Sequence, residues 1–285
     1  MQFIEIIIQN LQLNVDKLTY MKKILISIAF ILTLTATSER VFAWGKTGHE
    51  LVAEIAFHFL DDSTQKIVKD FLGNLSIEEA ANWMDDSRGN SYYDYMRTWH
   101  YLDMDKGVKY EPSGERNILT VMHSAITELK QYKTLKKSEV KRDLLLIFHL
   151  IGDLHQPLHC GYAVDKGGNT ISVTGPFVSG NLHSVWDTQI LEYEKTNLDS
   201  CLEFYKATFG NSNIGEITKI NEMHWMNESR SYLDTVYSFK DNFLDKNYVD
   251  SNILVIKKQL LLAGLRLAAV LKQTFNPGKL LTDNN

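Results

Sequence analysis

Residues 146–159 read LIFHLIGDLHQPLH. They end a stretch, 138–155, whose apolar run and length predict a helix. Pro157 stops it, because proline lacks a backbone N–H and its ring clashes with the preceding turn. His149 and Asp153 stand four apart and so share one helix face, and His159 follows in the turn. Residues 181–187, NLHSVWD, repeat that spacing with His183 and Asp187. Imidazole and carboxylate four apart on a helix suit a zinc ion. A lone His beside residues 144–148, LLLIF, is ordinarily a hydrogen-bonded core residue, and one His-x-x-x-Asp match is weak. Two such pairs with His159 between them outweigh that reading.

Helical periodicity extends outward from this stretch. Residues 49–60 carry Leu51, Val52, Ile55, Ala56 and Phe59 on an i, i+3, i+4 stripe. Ser63 or Thr64 is positioned to cap a helix running through Leu72, and Ser76 with Glu79 has capping-box spacing for one through Trp83. Residues 115–132, 182–193, 202–209, 220–243 and 250–275 also read as helices. Two long loops separate them, 101–114 and 156–180, and only 170–173 reads as strand. Neither a repeat nor a linker breaks the chain. The expectation is one mainly α domain with its chemistry on helix ends and the long loops.

The chain has 285 residues, enough for a real core, and a net charge of −5. Met21, Lys22 and Lys23 precede an apolar run, 24–35, that is too short to span a bilayer, and Val41, Phe42 and Ala43 fit a small-residue cleavage site. Residues 21–43 therefore read as a signal peptide cut after Ala43, and residues 1–20 as a gene-model extension ahead of a true start at Met21. A domain over 44–275 and a tail over 276–285 remain. The protein is expected to be exported, periplasmic or secreted, monomeric, and without stable membrane association after cleavage. The removed segment carries Lys17, Lys22, Lys23 and Arg40 against Glu5, Asp16 and Glu39, a net of +1, so the remainder carries −6 where the whole carries −5. No basic surface is available for a polyanion, and bound cations would have to attract one locally. Cys160 and Cys201 are too few for a cysteine zinc site, although export permits a disulfide. Asn74 and Asn227 begin glycosylation acceptor patterns, which are common by chance.

Other chemistry-bearing residues lie upstream. Residues 83–88 read WMDDSR and 99–103 read WHYLD, which makes Asp85 and His100 available as ligands. Taken singly, Asp85 is equally a surface acid and His100 a buried stacking residue. Residues 44–49 read WGKTGH. Cleavage after Ala43 would free the Trp44 amine, which with its own carbonyl can chelate a metal in a five-membered ring. Gly45 and Gly48 would let the chain fold back so that His49 reaches the same ion. The alternative is a core Trp44 and a His49 that merely begins a helix. Arg88, one turn past Asp85, offers a fork for phosphate or a surface salt bridge. Tyr101 offers either packing or a face on which an unpaired base stacks. Asn169 is a further candidate for base contact. His58, His123 and His224 match no ligand position, His155 at most orients a neighbour, and Trp186 and Trp225 read as core.

Six segments in this order, WGxxGH, WxDxxR, WHY, HxxGDxHQPLH, DxGGN and NLHxxWD, resemble the zinc-dependent single-strand nucleases of fungi, plants and bacteria, the nuclease S-one / nuclease P-one type that includes mung bean nuclease. The resemblance runs from Trp44 to about Lys272. It implies a mostly helical fold with long loops around a trinuclear zinc site, of the zinc-dependent nuclease and phospholipase C kind. By position, one zinc would take Asp85, His100, His149 and Asp153. A second would take His159, His183 and Asp187, and a third the Trp44 amine and carbonyl, His49 and the bridging Asp153. Three zinc ions against the three carboxylates leave about +3 in an acidic protein, which suits a phosphodiester. The resemblance further implies a metal-activated water as nucleophile, with Asp85 and Asp153 serving the catalytic metals and Arg88 stabilising the transition state. Products would end in 5′-phosphate. Asp103 and Lys106 would bind base edges, and the substrates would be single-stranded DNA or RNA and 3′-nucleotides.

Two rivals stand beside this reading. Zinc-dependent phospholipase C is similar in its N-terminal Trp and its three zinc ions, but its first His lies farther from the Trp and its last ligand is Glu. Here His49 follows Trp44 closely and the last ligand is Asp187. An exported zinc-binding protein without activity would need neither Arg88 nor Tyr101.

Overall fold

Asp61, Ser76, Asn117, Asn197 and Asp245 each set a side-chain oxygen on a free backbone N–H at a helix start. The helices they open dominate the chain. The computed structural model describes residues 44–210 and 214–278. The expected signal peptide, residues 1–20 and most of the expected tail lie outside the described residues.

The main helices are α1 (Lys46–Phe59), α2 (Asp62–Leu72), α3 (Ile77–Asp86), α4 (Ile118–Leu129), α5 (Lys137–Leu154), α6 (Leu198–Phe209), α7 (Glu222–Ser231) and α8 (Lys246–Phe275). A two-stranded antiparallel ribbon, β1 (Ser172–Thr174) with β2 (Ser179–Asn181), is the only sheet among the described residues. The protein is therefore mainly α, as expected. No helix of the described residues is long and apolar enough to cross a membrane.

Helix α5 is the centre of the packing. Every residue from Leu144 to Leu154 is buried, because α1, α3, α4 and α8 all pack around it. Helix α8 runs close along α1: a Cβ on Gly264 would come within 2.4 Å of Ile55 Cγ2. Only a glycine permits that approach. The arrangement leaves His149 and Asp153 facing an interior rather than solvent.

The structure corrects several boundaries. Neither Ser63 nor Thr64 caps α2. Asp61 does, accepting from Thr64 N at 3.1 Å, and it is held in turn by Lys272 of α8. The Ser76–Glu79 capping box is present as expected, but α3 continues to Asp86. Residues 220–243 are not one helix. Helix α7 gives way to a short turn, Leu233–Val236, and then to Asp241 and Asn242 with φ of +53° and +55°. There the chain leaves the helix to pair with β1, Thr174 N donating to Asn242 O at 2.9 Å. Residues 91–100, unassigned in the sequence, form a 3-10 helix, Ser91–His100, capped by Asn90. Cys160 and Cys201 are both buried free thiols.

Candidate metal centre

Six elements bring the expected ligands together. His49 comes from α1, Asp85 from α3, His100 from the end of the 3-10 helix, and His149 with Asp153 from α5. His159 comes from the 3-10 turn Pro157–Cys160 that Pro157 opens. His183 and Asp187 lie on residues 182–193, where Val185–Gln189 forms a π turn. All eight side chains are buried.

Asp153 is the hub. His49 Nε2 lies 3.2 Å from its Oδ1, while His100 Nδ1 at 3.0 Å and His149 Nε2 at 3.2 Å approach its Oδ2. Asp85 Oδ1 stands 3.8 Å from His100 Nδ1 and 3.7 Å from His149 Nε2. His159, His183 and Asp187 form a separate triplet.

Hydrogen bonds set the tautomers. A carbonyl can only accept, so His149 Nδ1 donates to Ala81 O at 2.7 Å, His159 Nδ1 to His100 O at 2.7 Å, and His183 Nδ1 to Gly167 O at 2.6 Å. The Nε2 lone pairs are thereby aimed inward, as metal-binding histidines require. His159 Nε2 and His183 Nε2 then face one another at 3.2 Å. His49 Nδ1 and Asp187 Oδ2 are buried without a hydrogen-bond partner, while His49 Nε2 and Asp153 Oδ1 have only one another, at 3.2 Å. Such atoms cost about 1–3 kcal/mol each when nothing meets them. A cation repays that cost, so the donor set fits a metal.

The electrostatics agree. Burial lowers the pKa of His100 to about 4 and of His183 to about 3, and lowers that of His49. These rings are neutral, the form that ligates. Asp153 loses solvation too, but the surrounding histidines, His149 and His159 foremost, hold it well below the usual carboxylate range. His149 is desolvated likewise, yet the Asp153 and Asp85 carboxylates raise it. Burial pushes Asp187 well above its usual value. A positive ion beside it would restore ionisation.

The sequence alone misses the supports. Gln156 is one: its Nε2 donates to Asp187 Oδ1 at 2.6 Å while its Oε1 accepts from Leu158 N. The H-Q-P-L-H string displayed it, but nothing distinguished it from a loop residue. His155, read as orienting a neighbour, faces away from the cluster and accepts from Arg266 Nη1 of α8 at 2.7 Å. Trp186 and Trp225 are wholly buried, as expected.

Arg88 Nη2 pairs with Asp85 Oδ1 at 2.8 Å and is partly exposed, which puts its guanidinium on the rim. Tyr101 is exposed beside His100. Asp103 has a buried, unpartnered Oδ1, and burial with Asp165 nearby raises its pKa to about 7. Lys106 is turned to Asp234 at 2.6 Å. Asn169 donates to Lys166 O at 2.8 Å and keeps a buried Oδ1 without a partner. The Trp44 side chain is wholly buried, and Gly45 N donates to Asp187 O at 2.8 Å, which ties the start of the domain to the triplet.

The S1/P1 Nuclease profile matches residues 44–276, nearly all of what the structure describes. The chain belongs to the S1/P1 Nuclease family. Endonuclease 2 of Arabidopsis thaliana is 28% identical over 274 residues, covering 85% of this chain and 94% of its own length. Nuclease S1 of Aspergillus oryzae is 27% identical over 272 residues, covering 82% and 92% respectively. Nuclease P1 of Penicillium citrinum is 31% identical over 156 residues, covering 51% of this chain and 57% of that one. This S1/P1 nuclease is thus a hydrolase acting on the phosphodiester bonds of nucleic acid, with His/Asp clusters that could hold metal.

Proposed function

We propose that this nuclease is an exported enzyme that uses three zinc ions to cut single-stranded DNA and RNA, releases 5′-phosphorylated products, and also acts as a 3′-nucleotidase. The observation that carries the reading is the set of inward-aimed, proton-free imidazole nitrogens around Asp153 and Asp187. Asp85, His100, His149 and Asp153 would hold one ion. His159, His183 and Asp187 would hold a second. His49, Asp153 and the Trp44 amine and carbonyl would hold a third once residues 1–43 are removed.

Bound zinc would supply Lewis acidity and bring the pKa of a water towards about 7. The chain's own groups do the rest. Arg88, fixed by Asp85, points a fork at phosphate oxygens and meets charge that develops in the transition state. Tyr101 presents an exposed ring next to His100 on which an unpaired base stacks. Asp103 and Asn169 keep unmatched acceptors for the base edge, and Lys106 can exchange Asp234 for substrate. A duplex hides its base faces, which is the physical ground for preferring single strands.

The test is digestion of a single-stranded polynucleotide by protein beginning at Trp44, with chelator and then with added zinc. Cleavage that chelator abolishes and zinc restores, leaving 5′-phosphate ends, is the expected outcome. Zinc-loaded protein that leaves the polynucleotide intact would overturn the reading.

A further inference from the structure

The 3-10 helix Ser91–His100 serves two places. Its last residue joins the metal cluster. Tyr92, Tyr93, Tyr95 and Trp99 line a cleft of about 650 Å³, walled opposite by residues of α3, α4 and α5. Tyr92 is 74% exposed and Tyr95 57% exposed, unusual for large rings with no covering element. Tyr95 meets Trp99 edge to face at 5.1 Å, and Trp83 meets Tyr93 likewise at 5.3 Å. Only one ring of an edge-to-face pair gives up a face, so the exposed tyrosines keep faces for another planar group.

The charge around the cleft is cationic. The Arg116 guanidinium lies 4.5 Å from the Trp99 ring centroid. Arg142 is occupied by Asp143 and Glu128. Arg116 and Lys141, by contrast, have no ion-pair partner among the described residues. Two cations without an ion-pair partner, Arg116 over Trp99 and Lys141, beside the exposed rings of Tyr92 and Tyr95 stand out on a chain of net charge −5.

The cleft adjoins the rim of the metal cluster: Tyr93 and Met96 line it and also line a small pocket with Arg88, His100 and the Arg97–Asp94 pair. At a rise of about 2 Å per residue, Tyr95 lies roughly 10 Å along the helix from His100. That is about three nucleotides of a strand at the ~3.4 Å stacked rise.

We propose that this cleft is a distal strand-binding site. Bases about three nucleotides from the bond being cut stack on Tyr92 and Tyr95, and Arg116 and Lys141 meet the phosphates between them. The proposal rests on the single-strand reading of the metal centre, because paired bases offer no faces to the tyrosines. It gives long strands an advantage that a dinucleotide, confined to the metal site, does not share.

The test compares cleavage of a single-stranded 12-mer and of a dinucleotide by wild type, the Tyr92→Ala/Tyr95→Ala double variant, Tyr95→Phe and Arg116→Gln. Loss of stacking worth ~1–3 kcal/mol per base predicts a KM for the 12-mer raised by about 5- to 100-fold in the double variant, with dinucleotide cleavage within about twofold of wild type. Tyr95→Phe keeps the ring and behaves as wild type, and Arg116→Gln flattens the salt dependence on the 12-mer only. An unchanged KM for the 12-mer, equal losses on both substrates, or a Tyr95→Phe defect as large as that of alanine overturns the proposal. A wild-type enzyme that leaves the 12-mer uncut overturns the single-strand reading itself, and the cleft with it. Cleavage of the 12-mer that the variants do not alter overturns the cleft alone.

Discussion

Gly152 lies against the ring of His49: a Cβ at Gly152 would stand 2.9 Å from His49 Nδ1. The bare Cα lets α1 lay its histidine flat beside α5, where it stacks on His149 at 3.9 Å between centroids and reaches Asp153. Gly152→Ala therefore pushes His49 off Asp153. The expected result is a metal affinity at least about tenfold weaker, read by competition with a chromogenic chelator. Far-UV circular dichroism, by contrast, stays as in wild type.

Gln156 fixes one oxygen of Asp187 and leaves the other free. Gln156→Leu removes that donor inside a buried site. The expected cost is about 10- to 100-fold in zinc affinity. Activity at saturating zinc recovers most of the wild-type rate. A Gln156→Leu protein that titrates with zinc as wild type does would show that Asp187 needs no outside support.

Arg88 separates catalysis from metal binding. Losing a transition-state donor costs about 10²–10³ in kcat. Arg88→Ala is expected to fall by that factor while metal content by atomic spectroscopy is unchanged. Arg88→Lys recovers only part, since an ammonium lacks the planar fork.

Proton release on zinc binding follows from the pKa directions. In the metal-free fold burial raises Asp187, so it holds a proton to higher pH than an ordinary carboxyl, and zinc displaces that proton. His100 at about 4 and His183 at about 3 are already neutral above pH 5 and release none. A raised carboxyl stabilises the metal-free fold at low pH, and that contribution is lost as pH rises towards its folded value. The gap in Tm between zinc-loaded and chelated protein is therefore expected to widen from pH 5 to pH 8. Calorimetry in buffers of different ionisation enthalpy counts the protons, and Asp187→Asn releases one fewer. A Tm gap independent of pH would contradict the assignment.

Peptide linkage to Ala43 makes the Trp44 nitrogen an amide, a poor zinc ligand. Protein beginning at Trp44 is expected to bind one more zinc than protein that retains residues 41–43, and to carry most of the activity. Equal metal content and turnover in the two forms would remove Trp44 from the ligand set.

Much of this was legible locally. A capping box at Ser76 and Glu79, or a His and an Asp four apart on α5, depends on residues within one or two turns of one another. The i, i+4 pairs at His149/Asp153 and His183/Asp187 needed nothing but helical geometry. The cap at Asp61 was missed because its weight comes partly from Lys272, far along the chain. The break in 220–243 was missed because the chain there trades helix for a bond to Thr174.

The sequence by itself determined the helical class and the His149/Asp153 and His183/Asp187 pairs, because helix periodicity and i, i+4 spacing are short-range properties of the backbone, while the resemblance in motif order supplied the expectation for His49, Asp85, His100 and His159. Only the tertiary structure decided that six separate elements meet around Asp153 and Asp187, and which nitrogen of each of His149, His159 and His183 donates to a backbone carbonyl. It alone showed that Gln156 rather than His155 serves the site, and that the 3-10 helix turns an aromatic cleft outward beside it. Those outcomes depend on carbonyls, carboxylates and rings brought close by packing around α5, and no spacing along the chain encodes those distances.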